Sequence, residues 1–173
     1  MKNHLSGNQT GMQTQPAGHK GILKQLRLIH SSMIAWLVIF LAVILYLTLS
    51  GSFQVQGDGD FSNLFFLITA GLTAALLPAS YFLFRRRLSD AGRENAGLEE
   101  LMTQYKSAFV VKMGLIEMPA FFSMVVMLMT GNPWLLVQII AVILVMIINR
   151  PTAEKIVGEM KLDRSNIQAI QNL

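Results

Sequence analysis

The chain has 173 residues, 53% of them hydrophobic and only 14% charged, with a formal net charge of +4 and a mean hydropathy of +0.48. Soluble domains carry about 25% charged residues, so composition excludes an ordinary soluble domain and places the chain in a membrane. The absence of cysteine excludes structural disulfides, thiolate metal sites and dithiol redox chemistry. The positive balance is read as a topology signal, not as a nucleic-acid footprint.

Residues 1–19 are rich in Asn, Gln, Gly and Thr and read as a disordered tail. This opening does not resemble a cleaved signal peptide, and the first span is expected to remain as an anchor. From Lys20 to His30, Ile22, Leu23, Leu26 and Ile29 share a helical face while Lys20, Lys24 and Arg27 carry charge. A short interfacial helix and an N-terminal extension of the first span fit this pattern equally.

Four spans are expected, at about 32–49, 61–84, 107–129 and 133–148, within a transmembrane domain at 20–150. A crossing needs about 20 apolar residues and at least about 17. The fourth span is short, and Asn149 and Arg150 are expected to lengthen it by snorkelling. Residues 151–173 read as an amphipathic tail. In it Pro151 suits a helix start, Ile156, Val157 and Met160 form a stripe, and Ile167 and Ile170 lie on a last short turn. In the connection from Arg85 to Lys106, Leu98, Leu101 and Met102 share one face, either of a solvated connector or of a docking helix.

Basic residues fix the orientation. Lys2, Lys20, Lys24 and Arg27 precede the first span. Arg85, Arg86, Arg87, Arg93 and Lys106 separate the second and third, and Arg150, Lys155, Lys161 and Arg164 follow the fourth. The loops Ser50–Asp60 and Thr130–Asn132 hold no Lys or Arg, and the fourteenth basic residue, Lys112, lies inside a span. The positive-inside rule puts both termini in the cytoplasm, and so strong a bias argues against dual topology. The Arg85–Arg87 run reads as a stop-transfer signal or as a headgroup contact of about 1 kcal/mol per residue.

Glu117 is the leading site candidate. An acid in mid-span costs about 2.5–3.5 kcal/mol on insertion scales and is a functional hypothesis by default. Low dielectric favours the neutral form of a carboxylic acid, a property that a proton-coupled site needs. Pro119 and Pro78 are expected to kink their helices, and Gly114 and Ala120 give the Glu117 face a small profile. On the second span Ala70, Gly71, Ala74, Ala75 and Ala79 offer a small-residue packing face, and Thr69, Thr73 and Ser80 are candidate hydroxyl donors to Glu117. Gln138 is another. Lys112 is not an intrahelical partner, because five residues turn about 140°, and it is expected to snorkel to the cytoplasmic surface. Three readings of Glu117 remain open: a register-fixing carboxyl, a proton or ion carrier, and a contact to another subunit.

No phosphate loop, paired-histidine metal site or nucleophile elbow occurs in the sequence. No catalytic residue, metal or cofactor is expected, and the methionines read as packing residues. The segment "GLIEMPAFFSMVVMLMTGNP", followed by "NRPT", resembles small uncharacterised bacterial inner-membrane proteins with four spans. The helix around Glu117 is also distantly similar to the carboxylate-bearing helix of rotary ATPase proteolipids, and that resemblance makes Glu117 the ion carrier. The glycine-dense first helix of proteolipids has no counterpart, since residues 32–49 contain no glycine.

The expected fold is all-α, an integral membrane four-helix bundle with short cytoplasmic interfacial helices. The expected role is that of a non-catalytic inner-membrane protein that self-associates or serves a larger membrane complex, without a nucleic-acid partner. The alternative is a small proton-coupled transporter or channel using Glu117.

Overall fold

A computed structural model describes residues 19–51, 59–91 and 98–160. Residues 1–18 of the expected disordered tail, Arg93 in the middle connection, and the last turn at Ile167 and Ile170 lie outside the described residues, while His19, the last residue of that tail, opens α1. Among the described residues the fold is all-helical: α1 (His19–Leu49), α2 (Gly59–Ala91), α3 (Leu98–Thr130), α4 (Trp134–Ile148) and α5 (Ala153–Met160).

Among the described residues, three helices are long and apolar enough to cross a membrane. At 31 to 33 residues and 1.5 Å per residue, each runs about 46–50 Å. That exceeds a hydrocarbon core of about 30 Å. The extra length comes from fusion. The Lys20–His30 segment continues α1 without a break, and Leu98–Lys106 is the first part of α3. Leu23, Leu26, His30 and Met102 are buried against neighbouring helices, so these segments pack as helix extensions and not as separate surface helices.

α4 departs from the expectation of a fourth straight span. It has 15 residues, about 22 Å, and reaches span length only if joined to α5, from which it is bent by 84°. Asn149 ends α4 and does not extend it. Its N–H reaches the Val145 and Met146 carbonyls, both at 3.1 Å, and its side chain donates to Val145 O at 2.8 Å.

Between α3 and α4, Gly131 takes φ +66° and its N–H caps the Met127 carbonyl at 2.8 Å. A glycine reaches that left-handed conformation without the steric cost a Cβ imposes. Asn132 then accepts from Trp134 N–H at 3.0 Å, which starts α4. The "TGNP" hairpin is therefore as tight as its turn residues imply.

Long-range contacts sort into consistent registers. Gln25 meets Lys106 across 81 residues, and Phe40 stacks on Phe121 with centroids 4.7 Å apart, so α1 and α3 run parallel. Ser62 pairs with Asn132, Thr69 with Gln138 and Tyr81 with Asn149, at separations of 70, 69 and 68, so α2 and α4 also run parallel. Tyr105 and Lys112 of α3 meet Phe84 and Tyr81 of α2 in the opposite sense. The chain runs up, down, up, down.

The packing is not an even ring. α3 lies along α1, α2 and α4 and forms the hub of the core. Half of its apolar window is buried, against 11% for those of α1 and α2. Trp36, Tyr46, Leu67 and Phe82 stand more than half exposed. Exposed apolar surface on this scale marks a protein- or membrane-contacting face.

Candidate functional site

The polar side chains along the helices form three groups, and Glu117 belongs to none of the hydrogen-bonded ones. Among the described residues its half-buried carboxylate has no hydrogen-bond or ion-pair partner. Its position on α3 explains this. Phe121, one turn further on, stacks on Phe40 of α1, and residues four apart share a face. Glu117 therefore stands on the α1 side of the hub helix.

The hydroxyls expected to reach Glu117 lie on α2 and are engaged there. Ser80 donates to Leu77 O at 2.7 Å, and Thr73 donates to Thr69 O at 2.8 Å. Thr69, Thr73 and Gln138 instead join α2 to α4. The Gln138 amide accepts from the Thr69 hydroxyl at 3.1 Å and donates to Thr69 O at 2.8 Å and to the Thr73 hydroxyl. All three side chains are satisfied, so the group is a closed polar clamp. Sequence reading singled out these residues but assigned them the wrong partner.

The small residues divide. Ala120 is fully buried. Gly114 is half-buried, yet a Cβ there would meet nothing within 4 Å, so no backbone approaches it closely. Gly71, Ala74 and Ala75 are exposed, and Gly71 also has open space around it. Among the described residues the Gly71, Ala74 and Ala75 part of the expected α2 packing face is left uncovered, while Ala70 and Ala79 are half-buried. Both helices continue through their prolines, Pro78 and Pro119, with Ser123 donating to Pro119 O at 2.7 Å.

The third group lies at the basic end. Lys112 does not snorkel outward: it is only 4% exposed, with its ammonium 4.2 Å from the Tyr81 ring centroid and 4.7 Å from that of Phe84. Both distances suit cation–π attraction, which strengthens on desolvation. Phe84 meets Tyr105 edge-on at 5.6 Å, and the Tyr105 hydroxyl donates to Glu159 of α5 at 2.7 Å. Ile156 of α5 is fully buried, and Lys155 donates to the last α4 carbonyl, Ile148 O, at 2.6 Å. Nearby, His30 Nε2 donates to Met146 O at 2.9 Å. Arg85, Arg86 and Arg87 stand exposed at the same end. Sequence reading missed this cage because its parts come from three helices, with 54 residues between Tyr105 and Glu159.

Among the described residues no cluster of His, Asp and Glu could hold a metal ion. No family model, curated protein or solved structure matches the chain.

Proposed function

We propose that the chain is a polytopic bacterial inner-membrane protein, with both termini cytoplasmic, that works without catalysis by associating with itself or with a larger membrane complex. Support for the membrane comes from three long apolar helices, two of them buried over only 11% of their apolar windows. Support for the orientation comes from the collection of basic residues at one end.

The observation that carries the associative role is Glu117. It lies 13 residues before Thr130, about 20 Å along the axis, and so within a hydrocarbon core of about 30 Å. A carboxylate at that depth needs a proton or a partner, and the described residues supply no partner. A neighbouring subunit at the α1–α3 seam meets that need, and the exposed Gly71, Ala74 and Ala75 offer a second close-approach face.

Proton-coupled transport through Glu117 is the second reading, favoured by the same unpartnered acid. Against it, the Thr69–Thr73–Gln138 group is closed on itself and lies between α2 and α4, away from the α1 side, so the two do not form a continuous polar route.

The chain lacks cysteine, so single-cysteine variants test association cleanly. Cysteine at Met118 or Gly71 in native membranes is expected to give a crosslinked species of defined mass, and Glu117→Leu is expected to weaken it. A monomer at both positions, together with proton flux in proteoliposomes that Glu117→Gln abolishes, would select the transport reading.

A further inference from the structure

The basic end holds an enclosed ammonium that is short of negative charge. Lys112 is almost fully buried, and its contacts are the faces of Tyr81 and Phe84. Among the described residues no oxygen accepts a hydrogen bond from it. An ammonium has three donors, and burying it unpaired is costly. The charges that act on it are one carboxylate, Glu159, and two further cations, Lys155 and Arg85. Glu159 is also shared with the Tyr105 hydroxyl. Three cations thus face one acid.

That acid arrives on α5, an element of eight residues reached through a sharp bend. Ile156 lies in the core, Ala153, Val157 and Met160 pack against it partly buried, and the polar ties of α5 to the other helices are the Tyr105–Glu159 and Lys155–Ile148 bonds. Lys112 lies 18 residues before Thr130, about 27 Å along α3. In a bilayer with a hydrocarbon core of about 30 Å, that is about 3 Å short of the cytoplasmic edge of the core, just beneath the headgroup phosphates.

We propose that Lys112, Arg85 and Lys155 form a binding site for the phosphate group of an anionic lipid, over which α5 closes as a strap with Glu159 standing in for the phosphate. Phosphate then supplies directly the negative charge that Glu159 supplies only through space, and lipid binding releases the strap. The ligand class follows from charge and depth: a phosphodiester at the membrane surface brings the missing anion without leaving the interface.

The test is hydrogen–deuterium exchange of residues 153–160, with the full chain in phosphatidylcholine nanodiscs with and without phosphatidylglycerol. Co-elution with lipid, checked first, separates failure of the membrane placement from failure of the site. Phosphatidylglycerol is expected to raise α5 exchange several-fold, and Glu159→Gln to raise it in phosphatidylcholine alone. Lys112→Met should abolish the lipid response. Tyr105→Phe, which keeps the ammonium and its burial, should shift the response to a lower phosphatidylglycerol fraction. Inorganic phosphate added to phosphatidylcholine discs distinguishes the source: a response to it alone assigns the site to free phosphate and overturns the lipid assignment. Wild-type exchange that is indifferent to both anions overturns the proposal, as does a Tyr105→Phe response at an unchanged lipid fraction.

Discussion

Gln138 holds Thr69 twice, accepting from its hydroxyl at 3.1 Å and donating to its carbonyl at 2.8 Å. This reciprocal pair is the main polar tie between α2 and α4. Interhelical hydrogen bonds in membranes average about 0.6 kcal/mol and reach about 1.7. Gln138→Leu is therefore expected to lower unfolding stability in detergent by about 1 kcal/mol. The loss stays small because both threonines retain bonds to their own helix, Thr69 to Phe66 O and Thr73 to Thr69 O, each at 2.8 Å. A denaturant midpoint equal to wild type would remove the clamp from the account of stability.

Tyr105→Phe deletes one hydrogen bond and little else, since the ring keeps its edge contact with Phe84. A bond to a charged acceptor is worth about 1.5–3 kcal/mol. Most of that loss should appear locally, as faster proteolysis near Lys155 with little change in global melting. Equal cleavage rates in the variant and wild type would show that the apolar packing of Ile156, Ala153, Val157 and Met160 secures α5 without the Tyr105 bond.

Gly131→Ala places a Cβ on a backbone at φ +66°. No atom lies within 4 Å to clash with it, so the cost is conformational, about 1 kcal/mol. Gly131→Asn should cost less, because asparagine tolerates the left-handed region. Melting temperatures of the two variants check the order, and a larger loss for Asn contradicts it.

Glu117→Leu removes a carboxyl that has no partner among the described residues. Thermal stability of the isolated chain should hold or rise, since no bond is lost. A clear fall in melting temperature would reveal an unseen partner and return Glu117 to a register-fixing role.

The sequence was informative where local chemistry decides structure and weak where packing does. Hydropathy located the helices and "TGNP" located the hairpin, because a glycine turn and an asparagine cap act within a few residues. It did not reveal α3 as the hub. In helices that are apolar on every side, an outward Val125 and an inward Met124 look alike, so periodicity does not separate the buried face from the exposed one. The small-residue pattern misled for the same reason: Gly71 and Ala75 have the spacing of a packing face but stand exposed among the described residues. Glu117 and Lys112 were visible as anomalies. Their surroundings were not, since the Lys112 cage is built by Tyr81 and Phe84 of α2, with Glu159 of α5 acting on it.

The hub arrangement also governs the order in which the molecule can be made. Synthesis delivers α1 and α2 first, yet consecutive helices α1 and α2 are not among the extensively packed pairs. Their mutual connection runs through α3. A nascent chain that ends near residue 91 holds two helices with no shared core, each needing the membrane or a chaperone to shelter it. Consolidation begins when α3 emerges and can engage both at once.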